Sequence, residues 1–171
     1  MPLFQSKKHQ ALALLNANKI DQGRELLEEI VTAERRDPDI WFMLAAVYSM
    51  TGKYDKAEKC NRHILAIQPG HFQARGNLGA VLREQGKPEE ALQHCEEALR
   101  IQPDYVNAHI NMGGALNDLG RLEEAKACYQ KALLINPHDS NAHYCLAEAC
   151  RVTGELDDAI HHYQQILRQD S

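Results

Sequence analysis

The fold is decided by residues 109–129, which read HINMGGALNDLGRLEEAKACY. A related stretch, RGNLGAVLREQGKPEEALQHC, stands 34 residues earlier at 75–95. Two more copies are WFMLAAVYSMTGKYDKAEKC at 41–60 and HYCLAEACRVTGELDDAIHHY at 143–163. One glycine, one alanine and one proline recur at the same interval, at Gly52, Gly86, Gly120 and Gly154, at Ala57, Ala91, Ala125 and Ala159, and at Pro69, Pro103 and Pro137. Because three residue types share one period, we infer an internal repeat.

A fifth, weaker copy precedes these four. One period before Gly52 stands Asn18, and one period before Ala57 stands Gly23. Asparagine is the residue that, after glycine, best tolerates the left-handed backbone of a helix end. The replacement at Asn18 therefore keeps the predicted turn.

Each copy has the pattern of two helices. In the copy at 72–105, Leu78 and Leu82 belong to an apolar stripe with helical spacing. Gly86 is predicted to end the first helix, and Pro88 to begin the second at a position where its missing N–H costs nothing. The alternation typical of strands is absent from the sequence, so we predict an all-α protein.

These copies resemble the tetratricopeptide repeat (TPR) family, whose pattern reads W-x2-L-G-x2-Y, then A-x3-F, A and P over 34 residues. Trp41, Leu44 and Tyr48 carry it in one copy, and Leu78 and Gly79 in the next. The resemblance implies a right-handed superhelical α-solenoid of about five helix-turn-helix repeats. We predict a single domain over 1–171, with repeats at about 4–37, 38–71, 72–105, 106–139 and 140–171.

Small residues are predicted where the two helices of a copy approach each other most closely. Gly79 is expected to face Ala91, and Gly113 to face Ala125. Cysteines in the second helices are expected to pack as small apolar residues. The histidines His109 and His143 stand at the position of Trp41, so repeat packing is expected to explain them.

Composition excludes several functions for these 171 residues. The net charge of −5 disfavours nucleic acid as a partner, and no apolar run is long enough to insert into a membrane. No secretory signal is visible, and the five cysteines form no C-x-x-C pair, which favours a reduced, cytoplasmic setting. We find no catalytic motif, metal set or cofactor fingerprint, and predict that this chain alone is not an enzyme and needs no cofactor.

The TPR resemblance implies a binding groove, because the concave wall of such arrays is built by the first helices. The side chains carried over to that wall are Gln73, Asn77, Arg83, Asn107, Asn111, Asn117, Asn141, Tyr144, Arg151, Phe42 and Met43. Carboxamides offer two donors and an acceptor, so the asparagines are predicted to pair with the main chain of an extended peptide. The arginines are candidates for acidic groups, and Phe42, Met43 and Tyr144 for apolar anchors.

The predicted function is non-catalytic binding of a protein or extended peptide in this groove, and two alternatives stay open. Asn77-Leu78-Gly79 and Asn111-Met112-Gly113 resemble the asparagine ladder in the arm of O-GlcNAc transferases, which suggests a recognition arm of a larger glycosyltransferase or sulfotransferase. A self-assembling scaffold is the other alternative, because no polar helix caps the fifth copy and its open end could pack on another copy. The asparagines can also be interpreted as solvated helix residues without a binding role.

Overall fold

The structure is a computed structural model that describes residues 2–169, with side chains described from residue 6 onward. These residues form ten helices and no strand. Their bounds are α1 (Pro2–Asn16), α2 (Ile20–Ala33), α3 (Pro38–Met50), α4 (Tyr54–Ile67), α5 (Phe72–Glu84), α6 (Pro88–Ile101), α7 (Val106–Asp118), α8 (Leu122–Ile135), α9 (Ser140–Thr153) and α10 (Leu156–Gln169). Odd-numbered helices are the first and even-numbered helices the second of each pair. The predicted all-α architecture of five helix pairs is confirmed.

The turn inside each helix pair is set by one residue with a left-handed backbone. Gly86 has φ of +73°, and Asn18 takes the same conformation with φ of +55°. Glycine meets no steric penalty there, and asparagine is the next best choice. The substitution in the first copy therefore preserves the turn, as the sequence predicts.

Proline and aspartate mark several helix starts. Pro38 and Pro88 are the first residues of α3 and α6. The carboxylate of Asp37 accepts a hydrogen bond from Asp39 N at 2.9 Å, and that of Asp139 accepts one from Ala142 N at 2.9 Å. Each carboxylate satisfies a backbone donor that the first turn of a helix leaves unpaired.

The described helices fall into two compact units, residues 1–74 and residues 75–171. In the first unit α2 packs against both α1 and α3, and α3 packs against α4. Its fully buried side chains include Leu27, Ile30, Ile40, Leu44 and Ile64. The single-domain organisation over 1–171 stays a prediction.

In the second unit α7 packs against α6 and α8, and α9 packs against α8 and α10. The largest buried side chains of this unit include Leu78, Leu82, Leu116, Tyr129 and Leu146. One helix pair cannot bury its apolar face alone, so this core forms only when successive pairs stack.

Close approach inside a pair is confirmed at Gly79. A Cβ added there would lie 3.1 Å from Ala91 O, so only glycine fits without movement. At Gly113 the atoms nearest to an added Cβ belong to the ring of Tyr129, and the expected approach to Ala125 stays a prediction. The missing side chain at Gly113 therefore makes room for an aromatic ring.

A ring N–H on several first helices reaches the carbonyl six residues earlier. Trp41 Nε1 donates to Arg35 O at 2.9 Å, and His143 Nε2 lies 3.0 Å from Pro137 O. His109 Nε2 lies 2.8 Å from Pro103 O in the same way. Repeat packing thus explains both histidines, as predicted, because each satisfies a carbonyl in the turn between two pairs.

The cysteines of the second helices are buried, which confirms that they pack as apolar residues. Cys95 is fully buried, and burial raises the pKa of its thiol to about 12. Cys60 is 3% exposed, and burial raises its pKa to about 12 as well. Both thiols are therefore protonated at neutral pH.

Candidate functional site

The candidate site in residues 75–171 is the polar surface of its first helices, α5, α7 and α9. We call it the first-helix face, and its members from the sequence prediction are Asn77, Arg83, Asn107, Asn111, Asn117, Asn141, Tyr144 and Arg151. The predicted residues Phe42, Met43 and Gln73 belong to the other compact unit.

Asn111 ties two first helices together. Its Nδ2 donates to Gly76 O at 3.0 Å, from α7 to the backbone of α5. The side chain is half-buried, and this bond uses one of its two amide donors. Asn111 therefore has a structural role, and its second N–H and its carbonyl oxygen are the groups it can offer to a ligand.

The other asparagines differ in how far they reach into solvent. Asn107, Asn117 and Asn141 are exposed, and Asn77 is half-buried. Cys145 lies beside Asn141, with its Sγ 3.8 Å from Asn141 Oδ1. These carboxamides are placed on α5, α7 and α9 with polar groups that water or a peptide backbone can reach.

Arg83 is already paired within the chain. Its Nη2 lies 2.7 Å from Glu84 Oε1, and its Nε lies 3.6 Å from Asp118 Oδ2. The guanidinium lies across Gly114, where an added Cβ would collide with it. Although burial disfavours the charge, the carboxylates raise the pKa of Arg83 above its usual value. An acidic ligand must compete with these two carboxylates.

Arg151 is engaged in a similar way at α9. Its Nη2 lies 2.8 Å from Glu148 Oε2, and the hydroxyl of Tyr163 also donates to Glu148. Hydrogen bonds from Arg151 and Tyr163 lower the pKa of Glu148. Tyr144 is 53% exposed, with its ring edge toward Tyr163 at 6.4 Å between centroids. The exposed ring of Tyr144 therefore lies on the same helix as the ion pair of Arg151 and Glu148.

Cys145 is half-buried on α9, and burial raises the pKa of its thiol. A protonated thiol is a weak nucleophile. The geometry does not activate Cys145.

In residues 1–74 the predicted apolar anchors are only partly available. Phe42, Met43 and Gln73 are all half-buried. The ring of Phe42 lies 5.5 Å from that of His71, tilted by 34°. Met50 on the same helix is 74% exposed, so it is the most accessible apolar side chain of this surface.

One feature that the sequence prediction missed is a histidine pair between α9 and α10. His143 Nδ1 and His162 Nδ1 lie 3.0 Å apart, while Nε2 of His143 is occupied by Pro137 O. Because a carbonyl oxygen can only accept a hydrogen bond, the proton of neutral His143 lies on Nε2. Nδ1 of His143 then accepts a hydrogen bond from the Nδ1–H of His162. Desolvation, and next the neighbouring His143, lower the pKa of His162. The spacing of 19 residues is not a repeat period, so no sequence signal pointed to this pair.

The described residues contain neither a cluster of metal ligands nor a helix that could span a membrane. Between residues 2 and 169 no three histidine, cysteine, aspartate or glutamate side chains are placed to hold one metal ion. Within the same part of the chain no helix combines the length and apolar character that crossing a membrane requires.

The five pairs, with their left-handed turns and small contact residues, define a helical-repeat protein. Family models described as tetratricopeptide repeat match residues 38–104, 82–148 and 140–165. The chain belongs to the tetratricopeptide repeat family. These models carry no information on the predicted likeness to O-GlcNAc transferases. Comparison with curated protein sequences finds no match.

Solved structures with the same fold are numerous. One is a thermophilic TPR protein of Thermus thermophilus, with 24% identity and a TM-score of 0.85 over 97% of this chain and 91% of that one. MamA of Desulfovibrio magneticus RS-1, from residue 41 to its end, has 21% identity and a TM-score of 0.79, covering 98% and 94%. PilW, a type IV pilus biogenesis factor, has 22% identity and a TM-score of 0.85, covering 96% and 76%. At these identities the likeness shows the fold alone.

Proposed function

We propose that this chain is a non-catalytic protein-interaction module that binds an extended segment of a partner protein along its first helices. The observation that carries the proposal is the distribution of asparagine in residues 75–171. Five of the six asparagines there lie on first helices, the sixth follows α8, and α6, α8 and α10 contain none. If these asparagines were only solvated surface residues, we would expect them on first and second helices alike.

The chemistry of these side chains supports a peptide ligand. A carboxamide both donates and accepts, so it pairs with a backbone N–H or C=O whatever side chain the peptide carries. Asn107, Asn117 and Asn141 are exposed, and Tyr144 adds an open aromatic ring. Arg83 and Arg151 can bind carboxylates of the ligand only if these replace the carboxylates of Glu84, Asp118 and Glu148.

The test begins with a random peptide library displayed on phage and selected on the full chain. The affinity of the selected peptide is then measured for the parent, for Asn107→Ala/Asn141→Ala and for a matched control, Gln130→Ala/Gln164→Ala, on second helices. We expect the first double variant to bind about 5- to 150-fold more weakly, since each of two lost hydrogen bonds costs about 0.5–1.5 kcal/mol. The control should bind like the parent. Equal affinity for all three proteins would refute the proposal.

Asn77 and Asn111 also support a second candidate, a recognition arm of a larger transferase. They stand one repeat apart on α5 and α7, and Asn111 contacts the α5 backbone next to Asn77. This candidate shares the peptide-binding face and differs only in the chemistry performed elsewhere. Transferase activity in the full-length gene product would support it, and a reading frame without a catalytic domain would exclude it.

Self-association is the remaining alternative from the sequence. On α10 the apolar side chains Leu156, Ile160 and Leu167 are 59%, 53% and 66% exposed. Sedimentation of the full chain over a range of concentrations tests this alternative: a constant monomer mass would exclude it.

A further inference from the structure

A second surface lies in residues 1–74, between the helices α2, α3 and α4. Residues of α2, α3 and α4 line an open cleft of about 300 Å³. Its lining includes Val31, Leu44 and Cys60, which we call the floor, and the rings of Trp41 and Tyr48, which we call the walls. This volume is at the lower end of the range for ligand sites, so the cleft has room for one large side chain.

The two aromatic walls are held in place before any ligand arrives. Trp41 Nε1 is bonded to Arg35 O, and the ring of His63 lies 4.3 Å from its indole. Tyr48 donates its hydroxyl to Glu28 at 2.6 Å. A rigid wall loses little conformational entropy on binding, so more of the contact energy contributes to affinity.

The floor of the cleft is apolar. Val31 is 7%, Leu44 2% and Cys60 3% exposed. The thiol of Cys60 is protonated at neutral pH and therefore adds no charge. Such a floor favours an aromatic or large aliphatic group over a polar one.

The rim of the cleft carries positive charge in a chain whose net charge is −5. Lys56 and Lys59 are both exposed, and Lys56 Nζ lies 5.3 Å from the centroid of the Tyr48 ring. The one acid in the lining, Glu28, is occupied by Tyr48 and by Arg24 Nη1 at 2.8 Å. Lys56 and Lys59 are therefore the exposed charged side chains of the lining.

The same cleft recurs three repeat periods later with different chemistry. Gln130, Leu133, Leu146 and His162 line an open cleft in the other unit, at the positions of Glu28, Val31, Leu44 and Cys60. At the positions of the two lysines stand Asp158 and His161. The second cleft is thus an internal comparison that keeps an apolar lining and lacks the basic rim.

We propose that the cleft of residues 1–74 binds an acidic amphipathic peptide segment of a partner protein. One aromatic or large aliphatic side chain of that segment enters beside Trp41, and the carboxylates flanking it lie at Lys56 and Lys59. This site is separate from the first-helix face, and neither proposal depends on the other.

Trp41 is the only tryptophan of the chain, so its fluorescence reports directly on this cleft. The full chain is titrated with an acetylated and amidated peptide Glu-Asp-Phe-Asp-Glu. Two control peptides, Glu-Asp-Ala-Asp-Glu and Lys-Lys-Phe-Lys-Lys, remove the anchor or reverse the charge. We expect a saturable change in Trp41 emission with the first peptide alone, and weaker binding as salt rises, because exposed charges are screened.

The variant Lys56→Glu/Lys59→Glu should bind this peptide about tenfold or more weakly, since two exposed ion pairs are lost and replaced by repulsion. The double variant Lys131→Glu/Arg168→Glu, exposed on α8 and α10 of the other unit, controls for the same change of −4 in net charge. The far-ultraviolet circular dichroism of every variant should match that of the parent. Three results would each overturn the proposal: no saturable change, equal response to the alanine peptide, or undiminished affinity in the double variant. Failure here would leave the Asn107→Ala/Asn141→Ala result unaffected.

Discussion

Replacing Gly113 with alanine tests whether repeat packing depends on the ring of Tyr129. In an open helix this change would stabilise the protein by about 1 kcal/mol, because alanine loses less backbone entropy than glycine. Here the added methyl would lie 2.8 Å from two atoms of a ring that is 3% exposed. Overpacking of this kind costs about 1–3 kcal/mol, and a rigid buried ring places the cost in the upper part of that range.

We therefore expect Gly113→Ala to lower the free energy of unfolding by about 1–2 kcal/mol, after the gain in helix propensity is subtracted. For a chain of this length, the melting temperature should fall by about 2–8 °C. Urea unfolding followed by circular dichroism measures the first quantity, and a thermal scan the second. In the control Gly70→Ala, an added Cβ meets nothing within 4 Å, so stability should change by less than about 0.5 kcal/mol.

A second variant isolates the contact itself. Tyr129→Ala removes the ring and leaves no side-chain atom beyond Cβ. With the ring removed, Gly113→Ala should cost less than in the parent, and the difference is the coupling between the two positions. If Gly113→Ala stabilises the parent, or costs the same in both backgrounds, the ring does not occupy the space assigned to it.

Three further predictions concern titratable groups of the second unit. Lys126, whose side chain is 8% exposed, contacts Glu155 at 2.6 Å, and we expect Lys126→Ala to lower the urea midpoint more than Lys126→Met, which keeps the buried alkyl volume. The pKa of His162 is lower in the folded than in the unfolded chain, so the unfolded state binds more protons at acidic pH. The free energy of unfolding should therefore fall as the pH drops below about 6.5, by up to about 1.4 kcal/mol per pH unit. A His162→Gln variant should show a flatter profile between pH 7 and 5, and an identical slope would contradict this assignment. In native protein a thiol reagent at pH 8 should modify Cys145 alone and slowly, whereas rapid labelling of all five cysteines would contradict the burial described here.

The fold could be predicted because its signals are local and repeated. The left-handed turn at Asn18 and the helix start at Pro88 follow from backbone preferences of single residues. Each is reinforced by copies at the same spacing, so an error in one copy is corrected by the others. The aromatic ring against Gly113 was missed because the family pattern indicates small residues there and does not give the direction of a neighbouring side chain.

The candidate site was less predictable, because its geometry depends on how successive pairs stack. The bond from Asn111 to Gly76 O joins residues on different repeats, and its formation requires a particular distance between α5 and α7. Arg83 was predicted as a candidate for acidic groups, and its pairing with Glu84 and Asp118 in the space left by Gly114 was not foreseen. Such pairings involve long side chains with many rotamers, which a repeat pattern does not specify.

The most direct test of the central claim is a nuclear magnetic resonance titration of the full chain with the library-selected peptide. The side-chain NH₂ signals of Asn107, Asn117 and Asn141 report on the first-helix face, and those of Gln130 and Gln164 on second helices serve as the internal reference. We predict saturable shifts of the asparagine signals at the concentration where the peptide binds, with the glutamine signals unchanged. Shifts confined to the glutamine signals, or equal shifts of both sets, would contradict it.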